Sequence, residues 1–131
     1  MRFFLQNKLW RDKAVELMNE MGSKIHWKRL DDTAYDQELR LKMLEEAQEV
    51  VATKSSDALM SECADVLEVM QALCAVNNIS WDDVLHSQAK KRVDRGGFDE
   101  RKYVTIAEHP VGGFGEKYCL NDPEKYPEVT D

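Results

Sequence analysis

Apolar residues recur at three- and four-residue intervals through most of the chain, the spacing of helices that bury one face. The first such stretch runs from Asp12 to Met21 and stops at Gly22. A second opens at Thr33, where Thr33-Ala-Tyr-Asp36 reads as a capping box with Asp in the place of Glu, and carries Leu39, Met43, Leu44, Ala47, Val50 and Val51 to about Thr53. The third starts near Ser56, holds Leu59, Cys63, Val66, Leu67, Met70, Leu73 and Cys74, and ends at Asn77-Asn78. A fourth opens at another capping box, Ser80-Trp-Asp-Asp83, and closes at Gly96-Gly97, where Gly96 suits the left-handed position just past a helix end. The pattern predicts an all-α fold, an antiparallel bundle of about four helices over residues 12–97. Beyond it, Lys102–Ile106 and Glu116–Leu120 predict a short hairpin across Pro110–Gly115. The rest of the extension, residues 98–131, is irregular, with two prolines after Asn121 and a tail expected to be loose or pinned to the surface.

Composition narrows the class. A chain of 131 residues, 43% hydrophobic and 33% charged, fits one domain with one closed core. No run approaches the ~20 apolar residues that cross a bilayer. The N-terminus turns polar at Gln6, too early for a signal-peptide core, so a cytoplasmic protein is expected. Cys63 and Cys74 read as core thiols and Cys119 as a spare, with neither disulfide nor zinc spacing among them. A net charge of −7 argues against a nucleic acid polymer as partner. It leaves phosphorylated small molecules open, because a divalent cation can mediate between carboxylates and phosphates.

Such carboxylates are present. Glu45-Glu46-Ala-Gln-Glu49 is followed, after twelve residues, by Glu62-Cys-Ala-Asp65. Residues three apart share a helix face, so Glu46 pairs with Glu49 and Glu62 with Asp65. A short connection returns the third helix antiparallel to the second, and the two pairs can face each other. With Glu62 set at zero on a helical wheel, Val66 falls near about 40°, Val69 near about 340° and Leu73 near about 20°. Glu62 therefore lies within the apolar arc of its helix, with Asp65 at its margin. On the second helix Glu46 sits on the shoulder of the apolar stripe, and Glu49 lies further out. Acids turned toward a core repel one another unless a cation holds them ionised, and an all-oxygen donor set favours Mg²⁺ or Mn²⁺ over zinc.

The EExxE–spacer–ExxD arrangement resembles the signature of the all-α nucleotide pyrophosphohydrolase superfamily, which includes MazG-like and phosphoribosyl-ATP pyrophosphohydrolase proteins. More narrowly, Asn7-Lys-Leu-Trp-Arg-Asp-Lys13 is similar to the NKLVRDK opening of a small MazG-like subfamily. Ala64-Asp-Val-Leu-Glu-Val69 resembles its ADVLEV, and Lys90-Lys91 with Arg95-Gly-Gly-Phe98 its KK…RGGF closure. Trp10 stands where an aliphatic residue is usual, and Ala14 where Ile is common. The resemblance implies Mg²⁺ held by Glu46, Glu49, Glu62 and Asp65, with Glu45 as a supporting residue, a base that orients water, or a surface residue. It implies Mg²⁺-dependent hydrolysis of a nucleoside triphosphate, house-cleaning substrates included, to the monophosphate and pyrophosphate. Two other outcomes stay open: hydrolysis of phosphoribosyl-ATP, and a nucleotide-binding module without turnover.

A phosphate substrate also needs cations. Lys8 and Arg11 from the N-terminal segment, and Lys91 and Arg95 four apart on the fourth helix, are the candidates for substrate contact. Trp10, beside Arg11, is the best of three tryptophans for stacking on a base, whereas Trp27 and Trp81 read as packing residues. The third helix is apolar over a wide arc that includes Val69, Leu73 and Val76, more than one neighbour covers, so a subunit interface is expected. The resemblance implies the same, as a homodimer or homotetramer.

Overall fold

The structure, a computed structural model, describes residues 1–130. All its regular elements are helices: α1 (Asp12–Glu20), α2 (Asp32–Ala52), α3 (Ser56–Val76), α4 (Trp81–Arg95) and α5 (Phe114–Leu120). The chain divides into two compact units, Met1–Asp94 and a second from Arg95 onward.

Helix ends in the first unit follow local chemistry. After α1, Gly22 adopts φ 97°, and the Gly22 and Ser23 N–H groups donate to the carbonyls of Asn19 and Met18. After α3, Asn78 plays the same left-handed part at φ 57°, with Asn78 and Ile79 donating to Ala75 and Cys74. Both ends thereby satisfy carbonyls that a helix terminus leaves open. The start of α2 differs from the expected box: Asp31, not Thr33, caps it, its carboxylate accepting from the Ala34 N–H at 2.8 Å. At α3, Ser55 Oγ accepts from the Ala58 N–H. Gly96, φ 81°, follows α4 as expected.

Within the first unit, α2 and α3 pack against each other as an antiparallel pair, their 21-residue lengths matched across a three-residue turn. Asn77, at the end of α3, donates to Asp36 near the start of α2 at 2.7 Å, which ties the pair at that end. Leu39 and Val69 are the buried apolar residues, and Glu46 the buried charged one, among the described residues. Among the described residues, α4 packs on neither α2 nor α3. Cys63 is exposed rather than in a core, so its apolar setting along the helix does not translate into burial within this chain.

Among the described residues, the second unit contains no hairpin. The segment expected as its second strand is α5, with Gly113 at its N-cap and Glu116 accepting from the Gly112 N–H at 3.2 Å. Phe114 and Tyr118 lie one helical turn apart with ring centroids at 6.1 Å, and Tyr126 from the tail packs on Tyr118 at 5.5 Å. A four-residue apolar spacing, Phe114 to Tyr118, overrides the alternation that suggested a strand. No described helix is long and apolar enough to cross a membrane.

Candidate metal centre and adjoining cavity

Because α2 and α3 run antiparallel with a short turn between them, the acids near the end of α2 meet those near the start of α3. Glu46, Glu49 and Glu62 each offer a carboxylate oxygen, and these oxygens lie within 4.8 Å of one another. Glu46 is 6% exposed, Glu62 half-buried and Glu49 open to solvent. Two oxygens, Glu46 Oε2 and Glu62 Oε2, are buried with no hydrogen-bond donor facing them. A buried acceptor left so is costly.

The electrostatics show the same tension. Glu62 is pushed up to about 7, first because sharing a proton with the Glu49 carboxyl rewards its neutral form, then by burial and by the charges of Glu49, Asp65 and Glu46. Glu46 is also raised, chiefly by burial and then by Glu49. Like charges in a partly dry site raise one another in this way unless a cation intervenes. An all-oxygen trio with two oxygens lacking donors fits a hard divalent ion such as Mg²⁺.

Asp65 is not in the trio. Its Oδ1 accepts from Arg11 Nη2 at 2.7 Å. Glu45 likewise points elsewhere: its two oxygens are held by Lys8 Nζ at 2.9 Å and Lys42 Nζ at 3.4 Å. These contacts, with the Lys8 hydrogen bond foremost, hold its carboxyl below the usual range. Lys42 also lies 3.4 Å from Glu46 Oε1, so it grips both members of the Glu45-Glu46 pair. Sequence reasoning missed Lys42, although its signal was available: a lysine three and four residues before the two glutamates on one helix.

Beside the trio lies an open cavity of about 350 Å³. One wall is the N-terminal segment, with Gln6, Lys8, Leu9, Trp10 and Arg11. The other is the helix pair, with Lys42, Glu46, Asp65, Glu68 and Val69. The structure thus brings Lys8, Trp10 and Arg11 to the carboxylates. It does not bring Lys91 there: that residue is exposed on α4, away from the helix pair. Arg95, also exposed, opens the second unit. Trp27 is 63% exposed, contrary to the packing role expected of it, with Arg29 over its ring. Trp81 is half-buried at the start of α4.

An all-α fold with an acidic trio across one helix seam, bordered by cations, defines a class of carboxylate-centred proteins suited to anionic ligands through a divalent ion. The family model for phosphoribosyl-ATP pyrophosphohydrolase matches residues 12–92, well over half of the chain, and the chain belongs to that family. It is accordingly a nucleotide pyrophosphohydrolase, an enzyme acting on phosphoanhydride bonds. Neither the curated proteins nor the solved structures contain a significant match.

Proposed function

We propose that the protein hydrolyses a nucleoside triphosphate, with Mg²⁺, to the monophosphate and pyrophosphate. The observation that carries the reading is the trio of Glu46, Glu49 and Glu62, two of whose buried oxygens face no donor, placed beside a cavity of nucleotide-accommodating size. Glu46, Glu49 and Glu62 would hold the ion, and Asp65 would join them on releasing Arg11. The ion would neutralise charge on the phosphates and make a bound water more acidic. Mn²⁺ suits the same donors. Lys8, Arg11 and Lys42 bring positive charge to the cavity wall, and Trp10 offers an aromatic face for the base. Lys91 and Arg95 complete the substrate contacts only if assembly carries them to a site.

Assembly belongs to the same reading. The α2–α3 pair leaves Leu41, Leu44, Val51, Met60 and Leu67 exposed, an apolar load that a folded chain covers by self-association. A homodimer or homotetramer is expected, and light scattering that finds a monomer at micromolar concentration would contradict it. The cytoplasm is the expected compartment, in keeping with three unpaired cysteines. The whole chain is read as one functional domain, its second unit an extension of the helical part.

A second substrate is favoured by one specific finding, the family match itself, which points to phosphoribosyl-ATP. Pyrophosphate release should be assayed with Mg²⁺ across natural, deoxy and oxidised or deaminated triphosphates and phosphoribosyl-ATP. Turnover of the triphosphates supports the first reading, and turnover of phosphoribosyl-ATP alone replaces it with the second. Tight Mg²⁺-dependent nucleotide binding with no pyrophosphate released would overturn both and leave a binding module.

A further inference from the structure

The geometry points to Glu45 as a positioning residue that clasps the N-terminal segment, and Trp10 with it, over the nucleotide cavity. Of the adjacent acids Glu45 and Glu46, only Glu46 joins the trio. Lys42, between them, is the divider: it lies at 3.4 Å from each and leaves the other oxygen of Glu45 to Lys8 at 2.9 Å. Lys8 is two residues from Trp10, on a segment without regular structure that forms one whole wall of the cavity. The Lys8–Glu45 contact joins that wall to α2, as Arg11–Asp65 joins it to α3. The family match begins after this segment, at residue 12.

Both lysine and glutamate are partly exposed, 42% and 29%, so the clasp is a weak, salt-sensitive tie. It therefore adds little to overall stability and acts on where the segment lies. A segment docked in advance lowers the ordering cost of binding, which shows in KM more than in kcat. A base role for Glu45 fits this geometry poorly, since both of its oxygens already accept from ammonium groups and neither faces the trio.

The inference rests on the hydrolytic reading for its kinetic part, and its structural part can be read without substrate. In a W27F/W81F background, Trp10 alone reports through acrylamide quenching. K8E and E45K should each raise the quenching constant by about 1.5-fold or more, as a locally released segment would. They should also raise KM by roughly three- to tenfold, the scale of one surface ion pair reversed in sign. The double variant K8E/E45K re-forms the pair with its charges exchanged and should recover most of the quenching change, while KM stays raised because the Lys8 charge is lost from the cavity wall. Unchanged quenching in the single variants would overturn the clasp, as would a double variant as open as either single one. A fall in kcat of about 100-fold in E45K that the double variant does not recover would assign Glu45 to proton transfer instead. If the hydrolytic reading fails, the quenching pattern still decides the clasp.

Discussion

The two ends of the α2–α3 seam hold carboxylates of opposite character, a single acid at one end and a trio at the other. Where α2 begins, Asp36 is fully engaged: Arg40 Nε donates to one oxygen at 2.8 Å and Asn77 Nδ2 to the other at 2.7 Å. These bonds, Arg40's first, hold the Asp36 carboxyl below its ordinary range. Where α2 ends, Glu46, Glu49 and Glu62 face one another with two buried oxygens lacking donors, and Glu46 and Glu62 are raised instead. The same residue chemistry on the same helix pair is satisfied at one end and frustrated at the other. An acid with a complete set of partners is explained by folding. One kept buried and repelled by its neighbours asks for a ligand, and perturbed groups of this kind gather at functional sites.

The comparison breaks most visibly if the frustrated end is neutralised. E62Q should lower Mg²⁺-dependent pyrophosphate release by about 100-fold or more, since one of the three ligands is lost. The same substitution should leave the metal-free protein equally stable or more so, because a like-charge contact is removed without creating a cavity. With the parent chain, Mg²⁺ at about 100 times its dissociation constant should add about 2.7 kcal/mol to stability. E62Q should forfeit most of that gain in a melting experiment. A variant that stays fully active, or that melts well below the parent without metal, would remove Glu62 from the role proposed for it.

A smaller effect sharpens the contrast through pH. Glu62 sits near about 7 when folded against an ordinary value of 4.5, so between those values the native state keeps a proton that the unfolded chain has lost. Its stabilising contribution is present at low pH and is lost as pH rises through 7, and Glu46 acts in the same direction. Asp36 works with the opposite sign: its lowered value gives stability above 3.8 that disappears as pH falls through the folded value. Metal-free protein melted from pH 4 to 8 should lose stability toward the upper end, and saturating Mg²⁺ should flatten that loss. E62Q should flatten it without metal. A parent profile that rises monotonically to pH 8 would contradict the frustrated reading of the trio.

Much of this arrangement is legible along the chain. Gly22, Asn77-Asn78 and Gly96 each stop a helix because they accept the left-handed conformation or sit beside a residue that does. The trio is legible because Glu62 falls within an apolar arc, a placement that sequence periodicity exposes directly. What the chain does not announce is competition among partners. Asp65 shares a helix face with Glu62, yet an arginine 54 residues away holds it. Asp31 and Thr33 both offer caps for α2, and Asp31 prevails, leaving Asp36 free for Arg40 and Asn77. The α5 segment misleads because its apolar residues fit both periods over so short a span, and the ring contact between Phe114 and Tyr118 settles it as a helix.

The smallest effect concerns the satisfied end, where the comparison demands that chemistry stay intact. Asn77 bridges the seam, donating to Asp36 and also to the Leu73 carbonyl at 2.9 Å within its own helix. N77A removes both bonds, but Asp36 keeps Arg40 at 2.8 Å and remains open to water, so no buried group is orphaned. The melting temperature should fall by no more than about 4 °C, the scale of one or two exposed hydrogen bonds in a chain of this size. Pyrophosphate release should be unchanged, because α2 is also held against α3 by Leu39 and Val69. A large loss of activity in N77A, with the fold retained, would mean that the two ends are coupled through the seam. In that case Asp36 would be part of the machinery that sets the trio, and the division between a folding acid and a working acid would fail.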